Sequence, residues 1–142
     1  MDDMSHYEQN RIYIVSMSDD ILSDTVSQVN RYLKPLMDAI ENSKIEGLLL
    51  DCHRVGMIDS AGIGMLCGKY VRLKKFNKKF ALCQLDQDLF IMLEKLDLIK
   101  KLRVVSNVNT ALHSIGYQAI DTFESLRKQG EQSEKTIFFG KS

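Results

Sequence analysis

Polar and apolar side chains alternate through Arg11-Ile12-Tyr13-Ile14-Val15-Ser16, a β-branched and aromatic run that reads as a strand with one buried face. Residues 1–10 form an N-terminal segment that either adds an edge strand or frays. From Thr25 the apolar positions Val26, Val29, Leu33, Leu36 or Met37, and Ile40 recur at helical spacing, with Ser23 or Asp24 as the candidate cap. Pro35 falls inside this helix and predicts a kink, because it removes a backbone donor and crowds the preceding turn. Leu48-Leu49-Leu50 shows no alternation, the pattern of a central strand buried on both faces.

The spacing predicts a second helix over residues 60–76, with Ile63, Leu66, Tyr70 and Leu73 on one stripe. A strand follows over residues 80–85, then a short helix carrying Leu89, Phe90 and Leu93, for which Asp86 is a fair cap. Arg103-Val104-Val105 reads as the last strand. Ser106 or Asn107 then caps a helix whose apolar residues Val108, Leu112, Ile115, Ala119, Phe123 and Leu126 fall three or four apart, so that residues 117–130 extend it past Gly116. Gly130 and the polar residues 131–135 read as a linker. The apolar end, Ile137-Phe138-Phe139, is expected either to dock on a partner or to pack against the domain itself. Strands alternating with helices make this an α/β fold, a mixed β-sheet with helices packed on it. A single domain over residues 11–116 is expected, preceded by residues 1–10 and followed by a helical extension and tail over residues 117–142.

Composition agrees with one domain: 142 residues, 44% hydrophobic and 27% charged, suffice for one core and not for two of ordinary size. Nineteen basic residues balance nineteen acidic ones, so the overall charge points to neither a nucleic acid nor an anionic membrane. Cys52, Cys67 and Cys83 are widely spaced in apolar segments and His6, His53 and His113 are scattered, so neither a metal site nor a cofactor is expected. The apolar runs are short and Met1-Asp2-Asp3 is acidic where a signal peptide is basic, which predicts a cytoplasmic protein without membrane insertion.

The candidate chemistry lies in residues 47–68, where the central strand leads through a short loop into Asp59-Ser60-Ala61-Gly62-Ile63-Gly64 and a helix. A helix start has unpaired N–H groups and partial positive charge, so a phosphate added at Ser60 would be held there. Asp59 is a natural cap. Gly62, Gly64 and Gly68 are poor helix formers; either they give a partner close access or they let the helix pack tightly on the sheet. Ser60 as a hydrolase nucleophile fits less well, because the Gly-x-Ser-x-Gly elbow is broken by Ile58 and no motif surrounds His53 or His113.

This stretch resembles the STAS domain family, the anti-sigma factor antagonists of bacterial regulation, in which an apolar strand runs into Asp-Ser-(Ser/Ala/Thr)-Gly-(Leu/Ile)-Gly. The likeness continues through Arg72-Leu73-Lys74-Lys75, Phe80-Ala81-Leu82-Cys83 and residues 89–98, and covers roughly residues 11–115. It implies a non-catalytic regulatory protein whose Ser60 is phosphorylated by an anti-sigma factor or related serine kinase, with a cognate phosphatase. The implied partner-binding face is Met57, Ile58, Asp59, Ser60, Ala61, Gly62, Ile63 and Gly64, in which Met57 and Ile58 are either partly exposed for a partner or packed in the core at the strand end. The alternative within the family is a scaffold or accessory subunit of a larger regulatory or transport assembly. One segment departs from the pattern. Where many antagonists have Gly-x-(Leu/Ile)-Asp before the first long helix, this chain has Asp19, Ile21 and, in place of the aspartate, Leu22.

Overall fold

The computed structural model describes residues 4–116. The element order is β1 (Ser5–Gln9), β2 (Ile12–Ser16), α1 (Val26–Glu41), β3 (Gly47–Asp51), α2 (Ser60–Lys75), β4 (Lys79–Cys83), α3 (Gln87–Lys95), β5 (Val104–Val105) and α4 (Val108–Gly116). The strands lie side by side in sequence order. β1 pairs antiparallel with β2 across a two-residue turn, Asn10-Arg11, whose positive φ angles of 54° and 64° suit the twist of a tight hairpin. The remaining neighbours are parallel, which makes the sheet mixed.

β3 occupies the centre, and all five of its residues are buried. Leu48 and Leu50 point into the larger core with Val29 and Leu33 of α1, Leu66 and Leu73 of α2, and Leu89 and Leu93 of α3. Leu49 points the other way and packs with Ile12, Ile14, Ala81 and the α4 residues Ala111 and Leu112. Three helices therefore cover one face of the sheet and α4 covers the other. This two-sided burial is why the run carries no polar alternation, and each fully buried leucine contributes about 1.5–3 kcal/mol.

α1 runs as one helix through Pro35. Its N-cap is Thr25 rather than Ser23 or Asp24, and the Thr25 hydroxyl bonds the preceding loop instead of the helix, accepting from the Leu22 amide at 2.9 Å and donating to the Asp20 carbonyl at 2.9 Å. Asp86 caps α3 by accepting from the Leu89 amide at 2.9 Å, and Asn107 accepts from the Thr110 amide at 2.8 Å at the start of α4. Cys52 and Cys83 are buried on opposite faces of the sheet. Burial, and then the neighbouring Asp51 charge, push the Cys52 thiol up to about 12, which leaves it protonated and unreactive. The expected helical extension over residues 117–130 and the tail over residues 131–142 lie outside the described residues.

Candidate functional site

The parallel strands β2, β3 and β4 all end at one edge of the sheet, where α/β folds commonly place their sites. Two loops meet there: residues 17–25 between β2 and α1, and residues 52–59 between β3 and α2. A parallel bridge joins Ile21 to Ile58. In it the Ile21 amide donates to the Met57 carbonyl at 3.0 Å and the Asp59 amide donates to the Ile21 carbonyl at 3.2 Å.

Two carboxylates complete the join, one from each loop. Asp59 caps α2 by accepting from the Gly62 amide at 2.9 Å, and its other oxygen accepts from the Ser23 amide at 2.8 Å. Asp20 reaches the opposite way and accepts from the amides of Gly56 at 2.7 Å and Met57 at 3.1 Å. The sequence motif marks Asp59, but nothing local marks Asp20, because its partners lie more than thirty residues away. The bonds from Gly62 and then Ser23 hold the Asp59 carboxyl below its ordinary range.

That depression has a testable sign. A carboxylate whose folded pKa is depressed contributes stability above its unfolded value, about 3.9, and loses it as pH falls through the lower folded value. The Ser23 and Gly62 amide resonances are expected to stay fixed down to that range and then to shift together. Movement of Ser23 without Gly62 would mean that Asp59 does not hold both.

Ser60, the first residue of α2, is exposed, and its side chain makes no hydrogen bond among the described residues. Met57, three residues before it, has 60% of its surface exposed. Ile58 does not share that exposure: at 6% it belongs to the core, because successive residues of an extended segment point opposite ways and the Ile21 bridge turns Ile58 inward. Gly62 is buried as well. A Cβ there would lie 2.2 Å from the Ile21 carbonyl oxygen and 2.8 Å from Ile58 Cγ2, so this glycine serves the packing of the two loops. Nothing lies within 4 Å of a Cβ at Gly64 or Gly68, both of which are exposed. Of the residues predicted from sequence for the partner-binding face, Met57, Ser60, Ala61 and Gly64 are exposed, Asp59 and Ile63 are partly buried, and Ile58 and Gly62 are buried.

Among the described residues Ser60 has no hydrogen bond to a histidine. The His53 ring nitrogen Nδ1 lies 3.1 Å from Asp51 Oδ1, and the Gln84 amide nitrogen also donates to Asp51. Asp51, His53 and Gln84 thus form their own cluster at the ends of β3 and β4, with no hydrogen bond to Ser60.

The sequence model of the STAS domain matches residues 3–111. The chain belongs to the STAS domain family. Solved structures with the same fold include an anti-sigma factor antagonist from Mycobacterium paratuberculosis, at 18% identity over 79% of this chain and 92% of that one, with a TM-score of 0.67. A sulfate transporter family protein from Wolinella succinogenes is 22% identical over 75% of this chain and 85% of that one, with a TM-score of 0.61. The Bacillus cell fate determinant SpoIIAA in its phosphorylated form is 10% identical over 76% of this chain and 94% of that one, with a TM-score of 0.57. At these identities the likeness establishes the fold, and the STAS match agrees with the α/β architecture expected from the strand and helix pattern.

Proposed function

We propose that this STAS protein is a non-catalytic binding protein of the anti-sigma factor antagonist type, switched by phosphorylation of Ser60. Its partner in this reading is an anti-sigma factor or related serine kinase, and a phosphatase resets it. The observation that carries the reading is the setting of Ser60: an exposed, unbonded hydroxyl at a helix start, beside the exposed apolar Met57 and the fixed negative charge of Asp59. An uncharged serine leaves a small apolar surface that a partner can cover. A phosphate adds about −1.5 to −2 charges, and with Asp59 already accepting from the Gly62 amide it brings like charges together at one helix end. The cost falls on binding, because the charge is solvated in the free protein and desolvated under a partner.

The SpoIIAA structure supports this reading as a protein of the same fold whose phosphorylated form has been solved. A second reading, a scaffold subunit of a transport assembly, draws on the sulfate transporter family structure and on Leu22 in place of the family's aspartate in the neighbouring loop. The test is incubation with ATP and lysate of the native cells, followed by peptide mass spectrometry. Phosphate on the Ser60 peptide, absent from the Ser60→Ala protein, is the expected result; phosphate elsewhere or none would favour the scaffold.

A further inference from the structure

The balanced net charge conceals a segregation along the chain. Residues 69–79 hold six lysines and arginines and no acidic residue, and residues 95–103 hold four with only Asp97 against them. More than half of the nineteen cations thus fall in two short segments. The fold brings these segments together. α2 and α3 lie on the same face of the sheet, each returns from the C-terminal edge to the N-terminal edge, and each feeds one of the neighbouring parallel strands β4 and β5. The β4–β5 register, with Leu82 opposite Val104 and Cys83 opposite Val105, sets the two segments side by side at the entry to these strands.

Only part of this charge is used within the fold. Arg72 pairs with Asp38 and Glu41, and Lys78 donates to the carbonyls of Ser43 at 3.1 Å and Ile45 at 2.7 Å. Lys74 and Lys75 also offset the negative end of α2. Lys79, Lys100 and Lys101 lie outside the helices, and these three, with Lys75 and Lys95, form no ion pair among the described residues. Interleaved with them are large apolar side chains in the open: Phe76 is 48% exposed and Leu96 is 50% exposed.

We propose that this N-terminal edge of the sheet docks on an anionic lipid bilayer, with the lysines among the headgroups and Phe76 and Leu96 in the acyl boundary. The chemistry favours a bilayer over a nucleic acid. Apart from Arg103, the cations of the two segments without an ion pair among the described residues are lysines, point charges without the planar fork that reads phosphate pairs, and a duplex gives Leu96 nothing to bury against, whereas a bilayer interface covers both apolar side chains. Among the described residues no helix is long and apolar enough to cross a membrane, so the attachment is peripheral. α2 runs from Ser60 to Lys75, so it separates the Ser60 face from this edge by about 22 Å at roughly 1.5 Å per residue, which leaves that face turned away from the lipid. The inference does not depend on the Ser60 switch.

Co-sedimentation of the full chain with vesicles tests it. Binding is expected with mixed phosphatidylcholine and phosphatidylglycerol, falling as salt shortens the screening length, and absent with phosphatidylcholine alone. Lys75→Glu, Lys95→Glu, Lys100→Glu and Lys101→Glu together should abolish it, and Phe76→Ser with Leu96→Ser should weaken it about tenfold, the cost of leaving half-exposed apolar groups out of the interface. All of these side chains are exposed, and an unchanged circular dichroism spectrum checks that the variants fold. No binding to the anionic vesicles, equal binding to neutral ones, or indifference to both sets of substitutions would overturn the proposal. Binding to duplex DNA that persists after Phe76→Ser and Leu96→Ser, without vesicle binding, would assign the edge to nucleic acid instead.

Discussion

Gly62→Ala is expected to destabilise the domain by about 3 kcal/mol, the upper part of the usual range for inserting a methyl into a packed site. The added Cβ would meet the Ile21 carbonyl oxygen at 2.2 Å and Ile58 Cγ2 at 2.8 Å. The nearest neighbour is backbone, held in the bridge between the two loops, so it cannot yield by changing a rotamer. At roughly 4 °C per kcal/mol for a domain of this size, the unfolding midpoint should fall by about 12 °C. Gly64→Ala, two residues along the same helix, meets nothing within 4 Å and should instead gain up to about 1 kcal/mol from helix propensity. Thermal melts of the two variants side by side decide the matter. Equal shifts would mean that the two glycines play the same part and that the loops are not packed as described.

The two glycines also show where reading the sequence stops. Residue type alone says that Gly62 and Gly64 weaken a helix, but not that one faces the Ile21 carbonyl and the other faces solvent. Periodicity placed the buried strand at Leu48-Leu49-Leu50, because burial on both faces removes the alternation that a half-buried strand shows. It also placed the apolar stripes of α1 and α2, where Val29, Leu33, Leu36, Ile40, Leu66 and Leu73 are buried. The loops were less legible. The sequence leaves both Met57 and Ile58 open between surface and core, and the bridge to Ile21 decides it by turning Ile58 inward and leaving Met57 out. Asp20 acts through bonds to Gly56 and Met57 of the other loop, and such contacts leave no pattern in the neighbouring residues, while the Thr25 hydroxyl is taken up within its own loop.

Ser60→Asp is expected to weaken binding of the proposed kinase-type partner by at least tenfold, while Ser60→Ala binds as tightly as the unmodified protein. The basis is electrostatic. Two unit charges 4 Å apart repel by about 1 kcal/mol in water and about 4 kcal/mol at the effective dielectric of a partly desolvated surface, and each 1.4 kcal/mol is about tenfold in affinity. Asp59 supplies one of those charges permanently, since its hydrogen bonds keep it ionised. A phosphate, with up to twice the charge of an aspartate, should weaken binding further still. Neither substitution should move the unfolding midpoint much, because Ser60 is exposed and its side chain makes no hydrogen bond among the described residues, and surface changes of this kind usually fall within about 0.5 kcal/mol. Equal affinity for both variants, measured by titration calorimetry with the captured partner, would remove the electrostatic basis of the switch.

The most direct measurement is peptide mass spectrometry of the protein taken from its own cells and separated into a partner-bound pool and a free pool. Phosphate on the Ser60 peptide in the free pool, with an unmodified Ser60 in the bound pool, is the predicted result. Phosphate distributed equally between the pools, or absent from Ser60 under every growth condition, would contradict the switch.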